Sequence, residues 1–377
     1  MAVDYAALVE QQRKYIDKVL TKDKLRLPLM FLSSKIRKVK KAYLSHEVTA
    51  DLEEEFLYFY NITDAIDRNR TYRFLNKCLH TFSDYRYEKK YRNKKSNIKK
   101  AISNISGSGI AIVCIIKNEA RYIREWIAYY KLMGVDHIYL FNNGSTDNVR
   151  EVLQKELEAE FVTLIDFTGA NAQLPVYRLA VKYLRGKYRW VAFIDADEFI
   201  VPTNGDLKEY LAGKENCPAI GIDWVVFGTG GHKKRPEGLV TENYFSTFED
   251  ADNLLNLRIK CIVNPDEVYD VYSPHFCVLK NGRYAVDENG EEITTKWMYV
   301  SGSGPAFTGK NSTRTIRINH YWTKSEQDLL EKCNRGYAAG GFNPDYDGIM
   351  KRLDYPQKED RIMEKFVPDI KRVLQEN

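Results

Sequence analysis

The sequence predicts an α/β fold, a mostly parallel sheet with helices on both faces, preceded by a helical region. Two observations carry this. From Gly109 onward, apolar β-branched runs alternate with amphipathic helical stretches in a regular order. Before Gly109 the chain is charged and amphipathic, with no such strands. The expected division is a basic helical region over 1–107, an α/β domain over 108–345 and a helical tail over 346–377. A chain of 377 residues exceeds what one compact core usually covers, so a main domain with additions is expected.

In the first region, "YAALVEQQRKYIDKVL" places Leu8, Tyr15, Ile16, Val19 and Leu20 near one helical face. "ADLEEEFLYFYNITDAI" is a second amphipathic piece, and "YRYEKKYRNKKSNIKK" holds eight basic residues and one acid. "SNISGSG" then reads as a linker. The strand "IAIVCII" follows, then a helix in "ARYIREWIAYYKLMG", with Ile123, Trp126, Ile127 and Tyr130 on one face and Gly134 as its stop. "HIYLF" is the second strand. "NNGSTDN" is a turn whose Ser145 or Thr146 is expected to cap the helix "VREVLQKELEA". "FVTLIDF", a helix around Leu174–Leu184 and the strand "WVAFID" complete the alternating part. Beyond Ile220 come short strands and glycine loops, among them "WVVFGTGGH", "RIKCIV" and "TRTIRINHYW". The tail carries Ile362, Phe366, Ile370 and Val373 or Leu374 as one apolar stripe.

Charge is uneven. Residues 1–108 carry 23 Lys/Arg against 13 Asp/Glu, leaving 34 against 39 for the rest. Such asymmetry suggests a basic arm that meets an anionic partner. Lipid head groups fit better than nucleic acid, because no nucleic-acid-binding motif accompanies the charge. Oligomer contact is another role for the same segment. The six cysteines form no CxxC pair and mostly lie in apolar strings, so they read as reduced core thiols. The start lacks a signal-peptide pattern, and "LPLMFL" is far short of the ~20 residues that span a bilayer. A cytoplasmic chain is expected, in a bacterial or archaeal setting, free or peripheral on the inner membrane face.

In open α/β sheets, ligands bind beyond the carboxyl ends of the strands. Here those ends carry Lys117, Asn118 and Glu119, then Asn142, Asn143, Gly144 and Ser145, then Asp195, Ala196 and Asp197. No GxGxxG or GxxxxGK[ST] loop follows the first strand, so a glycine cradle for phosphate is absent. A divalent cation held by carboxylates is the natural replacement. In an extended chain, residues i and i+2 face one side. Asp195 and Asp197 are therefore expected to point together, holding one metal or sharing a metal and a ribose.

The segments "CIIKNEARYIREWIAYYKLMGVDHIYLFNNGSTDN", "FIDADEF" and "NHYWTKS", in that order, resemble glycosyltransferases of the GT-A fold, a Rossmann-like α/β architecture. The nearest type is family 92, with bacterial relatives in the family 2 clan. The likeness covers roughly Ile110 to Gly336. It implies transfer of a sugar from a nucleotide-sugar donor, a UDP-sugar such as UDP-galactose, to a glycan or lipid-linked glycan. It also implies inversion, Mn2+ or Mg2+ as cofactor, and a place in surface polysaccharide or glycolipid synthesis. By the same likeness, Asn118, Glu119, Arg121, Asn143, Ser145 and Asp147 contact the nucleotide. Asn142 stands where the family 2 turn usually has its first acid. Asp195 and Asp197 match the DxD motif, with Asp197 on the metal and Asp195 on ribose or metal. His320 matches a late metal ligand, and His275 is its alternative.

The remaining candidates stay open between two roles. His232, after a glycine pair, is an acceptor contact or an ordinary loop residue. Trp224 stacks on acceptor or packs in the core. Lys260 neutralises diphosphate or is a strand-edge lysine. The general base that inversion requires is Glu242 or Asp223, with Asp252 behind them, unless these are solvated loop acids. Competing readings are a nucleotidyltransferase on a similar sheet and a non-catalytic glycan-binding scaffold.

Overall fold

The computed structural model describes residues 92–103, 109–169, 172–251, 253, 255–271, 273–293, 311–335 and 345–376. The two amphipathic pieces expected before residue 70, the start of the basic run and Asp252 lie outside the described residues. In chain order the strands are β1 (Ile110–Ile116), β2 (His137–Asn142), β3 (Val162–Asp166), β4 (Trp190–Phe193), β5 (Glu198–Pro202) and β6 (Ala219–Val226). They continue with β7 (Ser246–Phe248), β8 (Ile259–Val263), β9 (Val268–Asp270), β10 (Val278–Leu279), β11 (Ile316–His320) and β12 (Gln357–Glu359). The α-helices are α1 (Arg92–Ser103), α2 (Ile123–Leu132), α3 (Val149–Val152), α4 (Gln154–Glu158), α5 (Gln173–Leu184) and α6 (Leu207–Leu211). After these come α7 (Glu326–Arg335), α8 (Tyr346–Leu353) and α9 (Val367–Glu376).

Eight strands form one sheet in the order β3-β2-β1-β4-β8-β6-β11-β5. The first four run parallel, as the alternating strand–helix pattern predicts. The later half is mixed: β8 runs antiparallel to β4 and β6, β11 parallel to β6, and β5 antiparallel to β11. Every residue of β1 is buried, which explains its unbroken apolar run. Ile110, Ile112, Cys114 and Ile116 share a core with Trp126, Ile127 and Tyr130 of α2. Alternation turns Ala111, Val113 and Ile115 to the other face. There Phe193, paired with Val113, meets the Tyr177 ring of α5 at 4.8 Å. Helices thus cover both faces.

The sheet must curl. Strands β4 and β5 stand four places apart in its order. In a flat sheet that is about 19 Å, at ~4.8 Å per spacing. Only five chain steps join Phe193 to Glu198, a reach of at most about 17 Å. A turn closed by the Glu198 N–H donating to the Asp195 carbonyl, 3.1 Å, shortens it further. The sheet therefore wraps around this one turn.

Helix α2 ends as its sequence predicts: Gly134 adopts φ 72°, a left-handed value that favours glycine. The tail's apolar stripe is also real. Ile370 and Val373 of α9 are buried, and α9 lies against α2. One compact unit takes in Arg92–Ile293 and Phe307–Asn377, so α1, α8 and α9 belong with the sheet. The reason is packing: Ile98 and Ile102 are fully buried, and α1 lies against α5 and β3. Only the other face of this lysine-rich helix is solvated, with Lys99 and Lys100 exposed. No helix of the described residues is long and apolar enough to cross a membrane.

Ile102→Ala should lower the stability of this unit by about 2–5 kcal/mol, the range for emptying a buried isoleucine site. Urea unfolding followed by tryptophan fluorescence checks this; an unchanged midpoint would show that α1 is not part of the cooperative unit.

Candidate active site

The loops after β1 and β2 clasp each other. Asn118 has φ 54°, unusual for a non-glycine residue, and this bends the chain sharply at the end of β1. Its N–H donates to Ser145 Oγ at 3.0 Å, and its Oδ1 accepts from the Thr146 N–H at 2.7 Å. The Ala120 N–H donates to Asp147 Oδ2 at 2.9 Å. Ser145 and Thr146 therefore do not cap the next helix; Asn148 holds that place without a side-chain bond. Asn142 explains its own departure from an acid. Its Oδ1 accepts from the Ser145 N–H and its Nδ2 donates to Asp166 Oδ1, which a carboxylate cannot do. Asn143 Oδ1 accepts from the Gly169 N–H. Of the expected nucleotide contacts, Asn118, Asn143, Ser145 and Asp147 thus spend side-chain atoms on holding the loops. Arg121 is half-exposed, 3.9 Å from Glu237.

The "DADE" segment is a turn, not an extended strand, and this corrects the expectation that Asp195 and Asp197 point together. Asp195 Oδ1 accepts from Gln173 Nε2 at 2.9 Å, and its Oδ2 accepts from Lys260 Nζ at 2.8 Å. Asp197 Oδ2 accepts from Lys332 Nζ at 2.8 Å, while its Oδ1 lies 3.6 Å from His320 Nε2. Two carboxylates two residues apart would repel across one cleft; here each has its own cation. Burial raises the Asp197 carboxyl, but Lys332 and His320 outweigh it and hold it well below the usual range.

Lys260 is 1% exposed and also reaches Glu198 at 3.2 Å. Burial works against its ammonium, yet Asp195 and Glu198 together raise its pKa. Its charge is thus committed to the floor of the site rather than to the surface. Glu198 is fully buried, and burial, with Asp195 nearby, pushes its carboxyl up to about 8 against the pull of Lys260. The same carboxyl accepts from the Asp195 N–H at 2.8 Å. From behind, Trp126 Nε1 and the Tyr130 hydroxyl both donate to the Glu198 carbonyl, at 2.8 and 3.0 Å. The aromatic face of α2 thereby fixes the turn.

His320 ends β11, and its pairing with Val226 of β6 and Glu198 of β5 brings it to the turn. Burial lowers its pKa more than Asp197 raises it, so the ring is neutral at neutral pH. Its Nδ1 is buried with no partner among the described residues. Trp224 lies between His320 and His275, with ring centroids at 4.3 and 5.2 Å. It is 7% exposed, so it packs in the core rather than offering a face to a sugar. His275 Nδ1 engages the Ile259 carbonyl at 2.9 Å.

Both proposed bases are occupied. Glu242 accepts from the Leu239 N–H and pairs with Lys371 at 2.5 Å. Asp223 is 3% exposed and accepts from the Ser312 N–H at 2.9 Å. His232 is half-buried, with Nε2 at 3.1 Å from the Asn243 carbonyl. Among the described residues no group of three His, Cys, Asp or Glu side chains is disposed to hold a metal. Asp197 Oδ1 and His320 Nε2, 3.6 Å apart and both buried, are a charged oxygen and a neutral imidazole nitrogen of the kind that could share a divalent ion, with Asp195 bound to Lys260.

Sequence reasoning missed Lys332 and Arg335 of α7. Arg335 donates to the Lys117 and Asn118 carbonyls at 2.6 and 2.9 Å and pairs with Glu119. The signal was present: two basic residues at i and i+3 on the helix that follows "NHYWTKS" lie on one face. Beside the clasp is a cavity of about 720 Å³, lined by Asn118, Asp147, Arg235, Lys324 and Arg335 among others. That size suits a small-molecule ligand.

The model of glycosyltransferase family 92 matches residues 111–333. A family 92 protein of Ricinus communis is 26% identical over 199 residues, which cover 50% of this chain and 35% of the relative. One from Oryza sativa subsp. japonica is 29% identical over 186 residues, covering 48% and 29%. The match thus spans about a third of the length of these plant relatives. Among solved structures, glucosyl-3-phosphoglycerate synthase from Mycobacterium tuberculosis, in complex with Mn2+ and UDP-glucose, is similar over 35% of this chain and 47% of that one. Identity there is 17% and the TM-score 0.23.

Lys260→Met should cost about 1–3 kcal/mol, because it leaves fully buried Glu198 and partly exposed Asp195 without their shared hydrogen-bonding cation. Chemical denaturation at pH 7 reads this, and a variant as stable as the parent would show that Lys260 does not neutralise them.

Proposed function

Because the chain belongs to glycosyltransferase family 92, we propose that it transfers a sugar from a nucleoside-diphosphate donor, a UDP-sugar, to a hydroxyl of a glycan or lipid-linked glycan. The observation that carries this is the Asp197–His320 pair beside Lys332 at the strand ends, in a sheet without a glycine phosphate loop. The bond from the anomeric carbon to the diphosphate breaks, and its electron pair leaves with the nucleoside diphosphate. A bond from the acceptor oxygen to the same carbon forms, and the hydroxyl proton passes to a base. We read the transfer as inverting, as the family likeness implies.

Asp197 and His320 would hold a divalent cation, Mn2+ or Mg2+, which when bound supplies Lewis-acid stabilisation of the leaving oxygens. Asp195 is fixed by Gln173 and Lys260, so it orients the donor without drifting onto Asp197. The cavity beside Asn118 and Asp147 takes the nucleoside in this reading. His232 is the acceptor-side contact, after Gly230 and Gly231, which are exposed and both at positive φ.

Thermal unfolding with Mn2+ and a panel of nucleotide sugars tests the assignment. The correct donor at about 100 times its Kd adds roughly 2.7 kcal/mol of stability. Asp197→Asn should abolish the metal-dependent part of that gain. An equal gain in the variant would remove Asp197 from the metal, and no gain with any nucleotide sugar would favour a glycan-binding scaffold.

A further inference from the structure

We propose that Lys332 takes the cation's place on Asp197 in the donor-free protein, and that it shifts to the donor's diphosphate when the metal binds. The proposal rests on the glycosyltransferase reading of the site and goes beyond it, because it sets the order in which charges enter.

Asp197 is 8% exposed, and a carboxylate so buried needs a positive partner. Lys332 Nζ supplies it at 2.8 Å from Oδ2 and is steadied by the Trp322 carbonyl, also at 2.8 Å. A divalent ion between Asp197 Oδ1 and His320 Nε2 would share that one carboxylate with the ammonium. The two cations would then repel at short range in a poorly solvated site. The wider charge balance agrees. Lys260 already answers Asp195, and Lys332 already answers Asp197. An ion arriving alone leaves two surplus positive charges, whereas an ion arriving with a diphosphate does not.

The ammonium also has somewhere to go. Lys332 occupies the last turn of α7, on a flexible four-carbon stem. Arg335, three residues on, reaches the end of β1 from the same helix. Lys332 at Asp197 and Arg335 at the β1 loop thus stand along one face of α7, and a diphosphate drawn to the ion would meet the Lys332 ammonium there. Lysine suits this exchange because it binds phosphate as a point charge, without the fixed fork of arginine.

Isothermal titration of the whole chain with MnCl2 alone, and with UDP in the presence of Mn2+, tests the proposal. For Lys332→Met, affinity for Mn2+ alone should rise on the order of tenfold, and affinity for UDP with Mn2+ should fall by a similar factor, the scale of one charged hydrogen bond. A lysine with a merely structural role would not move the two in opposite directions. Lys332→Gln must give the same signs, which guards against a folding defect in one variant. Lys332→Arg keeps the charge and should keep Mn2+ alone weak. Mn2+ binding no tighter in both neutral variants, or UDP binding undiminished, overturns the role of Lys332 while leaving the enzyme assignment intact. A parent protein that binds no UDP at any Mn2+ concentration overturns the assignment and the proposal together.

Discussion

The site depends on neutralising carboxylates that the chain carries straight out of an apolar strand. Asp195, Asp197 and Glu198 follow a run that is buried throughout. Each meets a different answer. Asp195 has Lys260 and Gln173, Asp197 has Lys332 and the edge of His320, and Glu198, which burial pushes toward its neutral form, shares Lys260. Uncompensated, charges this close and this dry would drive the turn apart. The curl of the sheet follows from the same turn, because β5 must start where the turn leaves it and β5 is the far edge.

The turn is held from two sides. Behind it, Trp126 and Tyr130 donate to the Glu198 carbonyl, and the Tyr129 hydroxyl donates to the Ile200 carbonyl at 2.7 Å. In front, α7 brings Lys332 and Arg335 across the strand ends. The clasp of the β1 and β2 loops completes a rigid rim, since Asn118, Ser145 and Asp147 bond across it. Under the proposed function, a site that places a cation and a leaving group within tenths of an ångström benefits from such support.

Much of this was legible in the sequence. The apolar runs at β1, β2 and β4 are short, are followed by turn or helix signals, and are buried throughout, as strands covered on both faces are. The buried face of α2 follows from its period, and its end from Gly134. That Asp195 and Asp197 stand at the end of a buried strand was readable too, but their separate partners were not. The i, i+2 rule assumes an extended chain, and the hydrogen bond from the Glu198 N–H to the Asp195 carbonyl breaks that assumption. Lys332 escaped notice for another reason. It lies 135 residues from Asp197, and only the pairing of β11 with β5 and β6 brings its helix there. Glu242 and Asp223 looked available because Asp223 was read as a loop acid though it lies in β6, and because their partners, Lys371 and the Ser312 backbone, are also remote in sequence.

Anomalous diffraction from crystals grown with Mn2+ and UDP addresses the central claim most directly. The account predicts one manganese peak between Asp197 Oδ1 and His320 Nε2, with the Lys332 ammonium moved from Asp197 to a phosphate oxygen. A peak elsewhere, or bound UDP with no manganese and Lys332 still on Asp197, would contradict it.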